Sequence, residues 1–259
     1  MMWNGYYLFA FWPARKEDAA ACAGRLKRMV QSWAEIHPLL GHWYKQITEE
    51  AVEAAIDRGE TPQTAKFARV PLFSMPPDDL ELTRLVKAGV AMKDIPHVPW
   101  PELGFSVSGW NGFAAGQSVG FTMRAGAALS PRRSANSIEL DLPALSDRTE
   151  TLIAAAPLRS VLMAIVEAWQ PGWATLMPKA YEAPSTATEK FARPWGGWMT
   201  YVSANAGADK ITAPRSVSAE RTVDGGLLMS ATDQPFLLAN PLQVAQADAI
   251  DAALAPVRE

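Results

Sequence analysis

The residues GQSVG at 116–120 fit the G-x-S-x-G pattern, in which a serine on a tight strand-to-helix turn becomes the nucleophile of a hydrolase. That chemistry needs a histidine to take the serine proton and an acid to orient the histidine. The three histidines, His37, His42 and His97, all precede Ser118, so the serine, acid, histidine order of that hydrolase class cannot be built. A protease of another order would still be open to the chain. After the motif, FTMRAGAAL alternates Phe121 and Met123 with Thr122 and Arg124, the period of a strand with one buried face. No helix opens there, and glycines at 112, 116 and 120 suit an ordinary loop passing into a strand. A serine-dependent acyl hydrolase built on Ser118 is therefore the alternative reading, and no residue is assigned as catalytic.

Metal and cofactor chemistry find no better footing. His37 and His42 lack the H-E-x-x-H spacing, and the single cysteine, Cys22, provides no cysteine pair, so no metal ligand is assigned. The histidines fit the capping of a helix end or a half-buried interface. Neither a G-x-x-x-x-G-K-[ST] nor a G-x-G-x-x-G turn occurs, so no cofactor is expected. Paired carboxylates stand at Glu49–Glu50 and Asp78–Asp79, but adjacent residues on a helix diverge, so these read as caps and solvated charge rather than an acid/base couple.

The acids are nevertheless gathered. Between Gln46 and Leu82 lie Glu49, Glu50, Glu53, Asp57, Glu60, Asp78, Asp79 and Glu81, eight acids against the three bases Arg58, Lys66 and Arg69. Such a face steers a basic partner and raises its association rate. The chain also has ten tryptophans, most of them expected in the core. Trp110 and Trp198, beside glycines, are candidates for exposed turns, and Trp110 for an interface anchor. A net charge of −3 and a pI near 5.7 argue against direct binding of nucleic acid.

The elements that must position these residues follow from periodicity. YYLFAFW at 6–12 reads as a buried strand stopped by Pro13, and apolar residues from Ala19 to Trp33 form one face of a helix spanning about 16–35 with Cys22 inside. A short helix, TEEAVEAAIDRG, is capped by Thr48; DDLELTRLVKAGV is capped by Asp78 or Asp79 and turns Leu80, Leu82, Leu85 and Val86 inward. LGFSVSGW, GQSVGFTMRA and NSIELDLP form an antiparallel meander expected at the centre of the sheet. APLRSVLMAIVEAW returns to helix, WATLMP and PWGGWMTYVS to strand, and SVSAERTVDGGLLMS forms a hairpin turning at Asp224-Gly225-Gly226. Asn240 caps a closing helix from Pro241. Separated strands and helices without strict alternation give an α+β fold with a mainly antiparallel sheet and flanking helices, leaving open a division near residue 96. At 259 residues and 49% hydrophobic composition the chain can bury a large core without staples. The start carries no signal pattern and no segment approaches a membrane span, so the cytoplasm is the expected location.

Several stretches together resemble the immunity protein 52 family of bacterial polymorphic toxin systems. They are YYLFAFWPARKEDAAACAGRL with Cys22 and Arg25, HWY at 42–44, SGWNG at 108–112, and the ending DGGLLMSATDQPFLLANPLQVAQADAIDAAL. They occur in family order over nearly the whole chain, which favours one domain over residues 1–259. The stretch from Lys179 to Ala219 matches nothing in the family pattern. The resemblance implies a non-enzymatic cytoplasmic antidote in interbacterial competition of the type VI secretion kind. Its partner would be a cognate toxin, typically a nuclease with a restriction-endonuclease-like domain. The acidic residues named above and Trp110 are then the expected contacts.

Overall fold

A computed structural model describes residues 5–45, 53–54, 56–59, 61, 69–114, 116–129, 136–184 and 193–258. Tyr6–Trp12 forms β1, an almost uninterrupted apolar strand. Phe105–Trp110, Gly120–Ala125 and Asn136–Leu142 form β2, β3 and β4. Trp173–Pro178 and Met199–Val202 form β5 and β6, and Ser218–Arg221 and Leu227–Ser230 form β7 and β8. The strands make one antiparallel sheet of eight in the order β2-β3-β4-β1-β5-β6-β8-β7. The α+β expectation is met.

The meander was expected at the sheet's centre, and this is corrected: β2, β3 and β4 occupy one end, while β1 and β5 hold the middle. The reason lies in the side chains. A strand covered on both faces is apolar at successive positions, as YYLFAFW is, whereas β2 and β3 alternate because one of their faces stays open. Residue 96 divides nothing in the sheet, since β1 pairs with β4 and β5, both far beyond it.

Ala19–Ile36 forms α1, Asp79–Ala88 α2, Ala155–Trp169 α3 and Pro241–Ala253 α4. Asp18 caps α1 by accepting from Ala21 N, Asp78 caps α2 through Glu81 N, and Asn240 caps α4 through Leu242 N and Gln243 N. Since β4 and β5 both run against β1, they run parallel to each other, and α3 crosses over β1 to join them. α3 packs against α1, and Leu158, Val161, Leu162 and Ile165 of the one and Leu26, Met29, Val30 and Trp33 of the other are all buried. Indole donors tie these two helices: Trp33 Nε1 to Val161 O at 3.3 Å, and Trp169 Nε1 to Met29 Sδ at 3.2 Å. Trp12 stacks on Trp169 with ring centres 5.3 Å apart.

The opposite face of the sheet is covered at β1 and β5, where Trp195 packs on Phe9, Phe11 and Trp173 at 4.5–6.0 Å. Gly196 beside it runs so close to α4 that a Cβ would stand 2.5 Å from Asp251 N and 2.7 Å from Ala247 O. Over β2, β3 and β4 that face is polar: Ser108 and Thr122 join hydroxyls at 3.0 Å, and Arg124 pairs with Glu139. Trp198, a candidate for an exposed turn, is instead fully buried, its Nε1 donating to Thr232 O. On α2 only Leu82 and Val86 are buried, and Leu80 faces out.

Candidate partner-binding surface

The acids named from the sequence divide by what holds them. Asp78 spends one oxygen on the α2 cap. Glu81 accepts from Ser74 N at 2.9 Å and Ser74 Oγ at 2.6 Å, clipping the loop ahead of α2 to its first turn. Asp79 pairs with Lys27 of α1 at 2.8 Å, but with 80% of its side chain exposed that pair contributes little and leaves most of its field in solvent. Glu53 and Asp57 are helical and exposed. Glu49, Glu50 and Glu60 lie outside the described residues. Between these acids stand exposed apolar side chains that the sequence reading did not select, Ile56, Val70 and Leu80. Leu80 was read as inward because it falls at helical spacing, and only the packing of α2 on α1 shows which side of that stripe is covered.

Trp110 meets the strip of chain that leads into this segment. Tyr44 and Trp110 exchange backbone hydrogen bonds at 2.7 and 3.0 Å, and Lys45 N donates to Val70 O at 2.8 Å, so 43–45 is an extra extended strip between the end of β2 and residues 70–72. The Trp110 indole donates to Lys45 O at 3.0 Å and its ring lies 6.4 Å from that of Tyr44. Gly112 takes a positive φ of 76°, and a Cβ there would strike the Tyr44 ring at 2.6 Å, so glycine is needed to seat Tyr44. Trp110 also borders a groove of about 680 Å³ over the open face, with Tyr7, Ser118, Asp141 and Lys179 on its walls. Lys179 pairs with Asp141 and lies 4.7 Å over the Tyr7 ring.

Ser118 stands in the turn before β3, so a strand follows it and the nucleophile turn is absent. His37 is occupied elsewhere: its Nδ1 accepts from Leu39 N, capping a short 3-10 turn after α1, and its Nε2 meets Thr151 Oγ1 at 3.1 Å. Burial holds His37 below the usual imidazole range. His42 and His97 are exposed. Among the described residues no group of three or more His, Cys, Asp or Glu side chains is placed to share a metal ion.

The model of the family described as Immunity protein 52 matches residues 4–257. The chain belongs to the immunity protein 52 family. A solved structure of the Pseudomonas aeruginosa T6SS protein PA0821 is similar at 12% identity and a TM-score of 0.52, with 98% of this chain and 76% of that chain covered. At that identity the likeness is one of fold. A search of curated proteins finds no match. Membership in an immunity-protein family implies a cognate toxin as partner. In this immunity protein 52 chain no helix among the described residues is long and apolar enough to cross a membrane.

Proposed function

We propose that this chain is an antidote that binds its cognate bacterial toxin by direct protein contact and blocks it without chemistry of its own. The observation that carries this reading is the family match over residues 4–257. The proposed toxin is a restriction-endonuclease-like nuclease, and the proposed setting is the cytoplasm of a cell exposed to T6SS delivery, in keeping with the fold shared with a T6SS protein. A nuclease presents a basic cleft to the phosphates of its substrate, and the exposed Glu53, Asp57 and Asp79, with Asp78 and Glu81 at the head of α2, supply the complementary charge. Ile56, Val70 and Leu80 among them, with Trp110 at the border, provide the apolar contacts that charge alone lacks. Glu49, Glu50 and Glu60 belong to the same proposal on sequence grounds.

Co-expression with the toxin encoded beside it is the direct test, read as survival and as a complex that survives purification. Rescue with a stable complex is expected, and Ser118→Ala is expected to protect as well as the parent chain. Failure to rescue and failure to bind would sink the antidote reading. Rescue lost only in Ser118→Ala would return the serine to the leading role.

A further inference from the structure

We infer that the outer edge of β7 is a docking site for an extended peptide segment, which adds to the sheet as a further strand and carries a basic side chain opposite Glu220. The two edges of the sheet differ. Along β2 the outward backbone is taken up: Tyr44 and Trp110 exchange hydrogen bonds, Ser106 N donates to Gly89 O at 2.7 Å, and Ala91 N donates to Gly104 O at 2.9 Å. β7, at the other end, is exposed at all four residues. Which of its groups point outward follows from the ladder. Thr222 N donates to Gly226 O, and across β8 Ala231 N donates to Trp198 O, so Leu228 and Ser230 turn their backbone groups to β7 while Leu227 and Met229 turn theirs to β6. Leu228 and Ser230 pair with Glu220 and Ser218, which leaves the N–H and C=O of Ala219 and Arg221 pointing away from the sheet. Among the described residues no other backbone group bonds to those four. An unpaired row of this kind is a template for another strand.

The side chains choose the partner. Arg159 of α3 places both its hydrogen bonds on Oε1 of Glu220, through Nε at 2.8 Å and through Nη2, and leaves Oε2 for an incoming cation. Glu220, Asp233 and Arg159 line a hollow of about 440 Å³ between β7, β8 and the start of α3, so its wall carries two acids against one base. Apolar lining comes from Ala155, Ala156, Met199 and Leu228. An antiparallel strand laid along β7 sets one side chain opposite Glu220 and the next on that face opposite Ser218, in line with Ser230 and Met199. A lysine or arginine suits the first place and an aliphatic side chain the second. On the other face an acid suits the position opposite Arg221. A second copy of this chain suits the edge badly, because the antiparallel register that uses all four outward groups sets Glu220 directly against its own counterpart. The edge lies at the far end of the sheet from Trp110, so a segment docked here leaves the acidic surface open.

The test titrates the full chain with acetyl-Thr-Glu-Lys-Thr-Val-Thr-amide, whose glutamate, lysine and valine fall opposite Arg221, Glu220 and Ser218 in that register. The backbone amide resonances of Ala219 and Arg221 are followed by NMR. A saturable shift of both, with slowed hydrogen exchange, is expected. Exchanging the glutamate and lysine of the peptide should weaken binding by about fivefold or more. Methylating the two peptide nitrogens that face Ala219 and Arg221 should abolish it, since every side chain is kept and only the ladder donors are lost. In the protein, Ala219→Pro removes an outward N–H while sparing the β7–β8 ladder, and should weaken binding by about tenfold or more. Should circular dichroism show that variant unfolded, the methylated peptide decides the point with the parent chain. Unmoved Ala219 and Arg221 amides at millimolar peptide, or equal affinity for the methylated or the charge-exchanged peptide, overturns the proposal. So does a concentration-dependent dimer in sedimentation that Ala219→Pro abolishes, which would give the edge to a second copy. No toxin enters the experiment, so its outcome stands apart from the antidote reading.

Discussion

Cys22 lies on the buried face of α1, and burial, with the charge of Glu17 added, pushes its thiol up to about 12. Thiolate is the reactive form, so a disulfide reagent at pH 8 should label the native chain no faster than the chain unfolds. Rapid labelling of the native state would show that the α1 face opens. Its place in the core follows from its position in the apolar stripe of the helix. Asp224 is different. The turn it occupies is legible from Asp-Gly-Gly and its bond from Thr222 stays inside that turn, but its bond from Tyr201 reaches back to β6, and nothing in the spacing announces it. Its folded pKa is depressed, so its contribution to stability is present above its unfolded value near 3.8 and is lost as pH falls through the folded value. Thermal melts of Asp224→Asn should lie below those of the parent at pH 7 and converge with them in acid. A gap that persists at pH 2 would assign the loss to something other than the carboxylate's charge.

At the scale of elements, the 195–198 strand entry runs backbone against backbone with α4. Gly196→Ala would push a methyl group against Asp251 N and Ala247 O, backbone atoms that cannot swing aside, so urea unfolding should show a loss of about 1–3 kcal/mol or more. A neutral result would mean that α4 shifts without cost. The glycine pair reads from the sequence only as the lead into a strand, and what makes Gly196 necessary is a helix 45 to 57 residues later that the pair itself does not encode. The same limit explains the misplaced sheet centre. Alternation in β2 and β3 correctly marks half-covered strands, but strand order depends on how α3 carries the chain across β1, a connection that no local pattern states.

For the whole molecule, the acidic surface makes a kinetic prediction. Reversing Glu53, Asp57 and Asp79 to lysine together should slow association with the toxin by about tenfold or more at low salt and flatten its salt dependence, read by stopped flow or surface plasmon resonance. Unchanged association with rescue intact would remove the acidic face from the mechanism while leaving the antidote role in place. The sequence by itself determined the class of fold, the capped ends of α2 and α4, the β7–β8 turn, and the family, because hydrophobic period, capping and turn chemistry act over a few residues and the family stretches run in order along the chain. Tertiary structure alone decided that Trp110 sits beside Tyr44 and Lys45, that Leu80 faces solvent while Trp198 does not, and that Asp224 accepts from Tyr201 of β6. Those facts depend on which surfaces cover one another, and that is fixed by long-range packing across the sheet.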